Sequence, residues 1–220
     1  MLVKDFQKVL QECELSGFPF DNLSLSKGAL FHLYRRLLDG TKIVELGGGK
    51  STVFWYFLNQ SNLLNVNVTT ILHDMERASK IKEIVSNDPN IVLKVDVLKQ
   101  ISDKEWESIF EATEKWDQIG EYISINQYNE YSIRNTFYAK LPYEQFNENS
   151  IDVLIVDGPH GNGRSLSFPL LKRFLKEDAY ILIDDYHHYP FLQDASRVFD
   201  YEVIYKEAIG EHKWALIRLK

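Results

Sequence analysis

Cysteine is almost absent. Cys13 is the only one, which excludes an internal disulfide framework and any cysteine-built zinc centre. It falls on the apolar side of the N-terminal segment, where packing as a small hydrophobe is its expected role. Long apolar runs are missing too: none approaches the roughly 20 residues that cross a bilayer. The start carries Lys4 and Asp5, charged too early for a secretory signal. The expectation is a cytoplasmic protein with no membrane partner. Positive charge is in deficit, with 25 Lys and Arg against 32 Asp and Glu, a net −7. That balance argues against a nucleic-acid partner gripped through its phosphates, which usually needs a basic face. Internal repeats and low-complexity stretches are lacking. What remains is 45% hydrophobic and 26% charged residues over 220 positions, enough for one sizeable α/β domain spanning 1–220.

Hydrophobic periodicity divides the chain. Residues 1–40 read as two helices. Leu2, Phe6, Val9, Leu10 and Cys13 form the stripe of the first, closed by Gly17 and Pro19. The second is capped by Ser26 and carries Ala29, Leu30, Leu33, Tyr34 and Leu37. Five apolar runs then alternate with helical patterns: 42–46, 66–72, 91–97, 151–156 and 179–183. Strands that alternate with crossover helices predict a mostly parallel sheet covered on both faces. Two further runs, 201–205 and 213–219, flank Ile209-Gly210-Glu211 and predict an antiparallel hairpin. The fold class expected is therefore α/β: a doubly wound, seven-stranded, mostly parallel sheet with a C-terminal antiparallel hairpin. Residues 120–149 break the rhythm and hold Tyr122, Tyr128, Tyr131, Phe137, Tyr138, Tyr143 and Phe146. An insertion of that size reads as a lid over substrate, with a homo-oligomer contact or plain packing as the other readings.

Ligands in such sheets meet the carboxyl ends of the strands. The first strand ends in Glu45-Leu46-Gly47-Gly48-Gly49-Lys50-Ser51-Thr52. Consecutive glycines let a ligand approach bare backbone, and the helix that follows offers its N–H groups. A phosphate-binding loop requires glycine where Val44 stands, and a dinucleotide fingerprint requires it where Thr52 stands. A nicotinamide enzyme is thereby disfavoured, although it stays among the readings. The acid at the strand end, Glu45, suits a cationic methionyl group, met directly or through water.

This stretch resembles motif I of the class I S-adenosylmethionine-dependent methyltransferases, and the order of elements from about Ser24 onward is similar to that family's. The resemblance implies S-adenosylmethionine as cofactor, held by Glu45, Gly47, Gly48, Gly49, Ser51 and Thr52, with acids after the second and third strands on ribose and adenine. Asp96 matches the third-strand acid. The second strand departs from the pattern: it ends Ile71-Leu72-His73-Asp74, with leucine in the carboxylate's place. Asp74 or Glu76 then takes the ribose. A cofactor-binding module without chemistry is the reading that Leu72 favours.

Asp157 ends the fourth strand in Asp157-Gly158-Pro159-His160, and Asp184-Asp185-Tyr186-His187-His188 follows the fifth. A carboxylate at an apolar strand end needs a partner or a task. Asp157 is expected at both cofactor and acceptor. Asp157, Asp184 and Asp185, if they converge, offer the hard oxygen set that suits Mg²⁺ or another divalent cation, which would acidify a bound hydroxyl. The pattern is similar to the macrocin-type and catechol-type O-methyltransferases, closer to the former, and that likeness implies His187 as base. His160 is a second candidate for acceptor-side work, Arg164 a candidate anion clamp, and His73 and His212 are expected at the surface. The sequence thus predicts methyl transfer to a small-molecule acceptor, a sugar or phenolic hydroxyl.

Overall fold

A computed structural model describes residues 2–18, 24–130, 135–210 and 212–220; Pro19, Tyr131 and Glu211, named above, lie outside them. The elements are α1 (Leu2–Leu15), α2 (Lys27–Tyr34), β1 (Thr41–Leu46), α3 (Lys50–Gln60), β2 (Val66–Leu72), α4 (Met75–Val85), β3 (Ile91–Val95), β4 (Leu98–Gln100), α5 (Asp103–Glu111), β5 (Glu121–Ile123), α6 (Ile125–Glu130), β6 (Thr136–Tyr138), β7 (Ile151–Val156), α7 (Ser167–Leu171), β8 (Leu175–Asp184), α8 (Phe191–Ser196), β9 (Tyr201–Lys206) and β10 (Trp214–Leu219). The main sheet runs β3-β2-β1-β7-β8-β10-β9. Its first five strands are parallel, whereas β10 runs antiparallel to both β8 and β9.

The alternation of side chains along each strand makes the sheet doubly wound. Ile43, Val153, Ile155, Leu182 and Leu216 face a core shared with Phe6, Val9, Leu30, Phe54 and Ile81 of α1–α4. Their neighbours Val44, Leu46, Leu154, Val156, Ile183 and Ile217 face the other core, with Trp106, Ile109, Leu170, Phe191 and Ala195 from α5, α7 and α8. Local signals place the helix starts. Ser26 Oγ accepts the Ala29 N–H, Asp74 accepts that of Arg77, and Ser102 forms a capping box with Glu105.

The segment 120–149 is not a loose loop. β5 and β6 flank β4 in a second, antiparallel sheet, β5-β4-β6. Phe137 and Tyr138 are fully buried, and Tyr143 stacks on Phe174 with ring centroids 5.7 Å apart. The third strand of the main sheet stops at Val95 rather than Val97, because Leu98–Gln100 joins this second sheet. Among the described residues, no helix is long and apolar enough to cross a membrane.

Candidate functional site: the cleft above the glycine turn

β1 lies between β2 and β7, so the turn after it opens where the connections depart to opposite sides of the sheet. Gly47, with φ +91°, packs against the turn after β7: a Cβ there would lie 2.6 Å from Gly158 N. A Cβ on Gly48 would meet Thr70 Cγ2 at 2.1 Å, whereas one on Gly49 would meet nothing within 4 Å. Gly49 faces open space. That space is a cleft of about 440 Å³, lined by Gly47, Gly49, Lys50, Ser51, Asp74, Glu76, Arg77 and Asp157, with Gly17, Phe18, Ser24 and Leu25 from the N-terminal segment. A larger cavity, about 950 Å³, opens at the opposite end of the strands near Asn149 and Leu219; Tyr143 of the 120–149 segment lines it, but none of the candidate glycines, acids or histidines does.

Glu45 does not reach the cleft. It is fully buried, and its Oε2 accepts hydrogen bonds from Thr52 Oγ1 (2.5 Å) and Thr70 Oγ1 (2.8 Å). Burial raises its pKa, opposed by the neighbouring hydroxyl groups of Ser51, Thr52 and Thr70. Thr52 Oγ1 in turn accepts the Gly49 N–H at 3.2 Å. Glu45 thus braces the turn from behind through Oε2, while its Oε1 has no protein partner among the described residues. Asp96, half-buried, accepts the Lys140 N–H on Oδ2 at 2.6 Å, tying the end of β6 to β3. Burial raises the Asp96 pKa as well.

Lys50 was missed by the sequence reading, which treated it only as part of a false phosphate loop. It is 1% exposed, donates from Nζ to Cys13 O at 2.9 Å, and clips α1 to the start of α3 at the cleft's edge. Its signal was present, a lysine at the first helical position after the glycines. Its partner, 37 residues away, was not.

Asp157 and Asp184 end the neighbouring strands β7 and β8, close enough for each carboxyl group to act on the ionisation of the other. The Asp157 pKa is pushed well up by burial and then by the Asp184 charge, against the lowering effect of Arg164. Asp184, 5% exposed, is raised by burial and by Asp185, with Arg164 again opposing. Arg164 is no anion clamp. It is 4% exposed and donates from Nε to Pro159 O (2.9 Å) and from NH1 to Asp184 O (3.3 Å), holding the two loops together.

A family model described as a methyltransferase domain matches residues 44–186. The chain belongs to that family, the class I S-adenosylmethionine-dependent methyltransferases. No curated protein matches the chain. Among solved structures, precorrin-6y C5,15-methyltransferase from Geobacter metallireducens GS-15 is 12% identical with a TM-score of 0.53, covering 91% of this chain and 92% of that one. A fibrillarin/Nop5p complex gives 13% identity and 0.51, over 87% and 79%. The CMeT domain of the citrinin polyketide synthase gives 13% and 0.50, over 88% and 51%. These likenesses establish the seven-stranded methyltransferase fold.

The methyltransferase cleft fits the family's cofactor. Gly49 leaves room for it, Gly47 and Ser51 present the turn, and Asp74 and Glu76 stand on the wall near Leu72, which is itself buried. Of the three acids expected to hold a divalent cation, Asp157 and Asp184 lie close enough for each charge to act on the other. Asp185 has φ +52°, which turns it out of the β8 line and toward His187 and His188 instead. The three acids do not converge. His187 and His160 are both exposed. The His187 pKa is lowered by the little burial it has, then by His188 and Lys213, with Asp185 opposing. His73 is half-buried rather than at the surface, its ring 5.2 Å from that of Tyr128, and His212, also half-buried, acts on Asp184.

Proposed function

We propose that this chain transfers a methyl group to a hydroxyl oxygen of a small molecule, a phenol or a sugar. The reading rests on the neighbouring carboxyl groups of Asp157 and Asp184, because Asp157 stands on the cleft wall. S-adenosylmethionine, when bound, supplies the electrophilic methyl group. The pair supplies the base. It starts with one proton and one negative charge. As the acceptor oxygen is alkylated, Asp157 takes the hydroxyl proton on one oxygen and passes its own to Asp184, leaving both neutral. Burial favours that neutral product over a charged one, so the raised pKa values make the pair a stronger base than an ordinary carboxylate. Orientation of the acceptor against the methyl group supplies much of the remaining rate.

Asp74, Glu76, Ser51 and the Gly47–Gly49 turn hold the cofactor. His160 and His187, in the loops after β7 and β8, stand on the acceptor side, and Tyr128 donates to His160 O at 2.8 Å, linking the 120–149 segment to that rim. The net charge of −7 supports a small acceptor over a nucleic acid.

Calorimetric titration with S-adenosylmethionine, followed by label transfer from the methyl-labelled cofactor to a panel of phenols, sugars and amines, tests the proposal. Labelled oxygen ethers are the expected product; label on amines alone overturns the oxygen assignment. Gly49→Leu projects a side chain into the open space and is expected to melt close to the wild type yet bind the cofactor about 100-fold more weakly, a loss of roughly 2.7 kcal/mol. Wild-type affinity in that variant would move the cofactor elsewhere.

A further inference from the structure

We propose that Asp185, His187 and His188 form a binding site for a zinc-type transition-metal dication on the rim of the cleft, separate from the three-acid arrangement that the fold does not assemble. The site is built by the turn that ends β8. Asp185 takes a left-handed conformation at φ +52°, and the His188 N–H closes back on Asp185 O at 2.9 Å. The reversal brings Asp185 Oδ2 to 3.7 Å from His188 Nδ1 and sets the His187 and His188 rings 4.1 Å apart at 49°. One ligand atom from each of the three lies within 4.8 Å of the others. A tetrahedral centre with bonds near 2.1 Å needs ligand atoms roughly 3.4 Å apart, a closure within reach of rotation about the side chains of two exposed histidines.

The donor set chooses the metal class. Two imidazole nitrogens and one carboxylate suit Zn²⁺, Co²⁺ or Ni²⁺, whereas Mg²⁺ prefers oxygen alone. Two adjacent imidazoles repel one another when protonated but offer two lone pairs when neutral, the form a metal requires. Lys213 adds positive charge near His187, and Asp184, the residue before the turn, supplies negative charge beside it. With only three protein donors, coordination positions stay open to water or to an incoming oxygen ligand. The His160 ring lies 6.1 Å from that of His188, on the neighbouring loop, which places the site between the loops that follow β7 and β8.

The site does not depend on the methyl-transfer reading, and its test needs no turnover. The full chain, free of any histidine tag and stripped with a chelator, is titrated with Co²⁺ and followed by its visible absorption, then back-titrated with Zn²⁺. The expected result is one equivalent bound with micromolar or tighter affinity, displaced by Zn²⁺ and unaffected by millimolar Mg²⁺. Asp185→Asn and the double variant His187→Ala/His188→Ala should each weaken Co²⁺ binding at least 30-fold, with far-ultraviolet circular dichroism unchanged for these surface residues. Absence of a stoichiometric Co²⁺ spectrum, or equal binding by the double variant, or displacement by Mg²⁺, overturns the site.

Discussion

Asp157→Asn is expected to lower kcat by about 10²–10⁴-fold, the range a positioned general base contributes, and to make the protein more stable at neutral pH. The amide can donate to Asp184, so the fold survives, but the relay that accepts the acceptor's proton is gone. The stability change follows from the sign of the pKa shifts. Asp157 and Asp184 are both raised by burial and by neighbouring carboxylate charge, so the folded chain holds protons that the unfolded chain releases. Their favourable contribution is full below the ordinary carboxylate range and is lost as pH rises through the raised values of the pair. Thermal melts from pH 4 to 8 should show the wild type losing stability toward neutrality relative to the variant. On the same grounds the acid limb of kcat/KM lies above the usual carboxylate range and shifts in Asp184→Asn. Separate titration with S-adenosylhomocysteine tells a lost base from a lost cofactor contact. Wild-type kcat in Asp157→Asn would end the assignment.

Gly47→Ala should be worse for the fold than for the chemistry. The new methyl group would lie 2.6 Å from Gly158 N and 2.8 Å from the Asp157 carbonyl carbon, both backbone atoms, at φ +91°. No side-chain rotation relieves such a contact, so the β1 and β7 turns must separate. A left-handed alanine costs about 1–2 kcal/mol by itself. With the clash added, a total of about 3–5 kcal/mol is expected, a large part of the 5–15 kcal/mol that holds a typical domain. Urea denaturation measures it. Gly158→Ala, whose Cβ would lie 2.7 Å from Gly47 Cα, should show a similar loss, and the double variant should cost less than the sum because the two sites share one contact. A wild-type midpoint for either single variant would contradict the described packing.

Much of this was legible before any coordinates. Continuous apolar runs separated by helical patterns specify a parallel sheet because parallel strands require crossovers, and the hairpin β9–β10 follows from two apolar runs around Ile209-Gly210. The location of the cleft followed as well, since Gly47–Gly49 lie at the end of a buried strand and their lack of side chains is itself the signal. Less legible were the roles of acids within that region. Glu45 and Asp96 bear the same carboxyl group as Asp74 and Asp157, yet they accept hydrogen bonds from Thr52, Thr70 and the Lys140 N–H, the last 44 residues from Asp96. Adjacency misled at Asp184-Asp185: one backbone angle sends neighbouring carboxylates to different partners, and no sequence pattern reports it. The antiparallel sheet within residues 120–149 was not legible, because β4, the strand that both β5 and β6 pair with, lies before α5 in the chain.

The amino-acid sequence alone determined the architecture, the family resemblance and the glycine turn that opens the cleft at the end of β1, since these depend on local periodicity and on glycines that act through what they lack. The tertiary structure decided which charged groups face the cleft and which are consumed as struts. That choice depends on contacts between distant segments and on the φ angle of a single residue, and it is where Asp157 and Asp184 become a pair and Asp185 leaves to join two histidines.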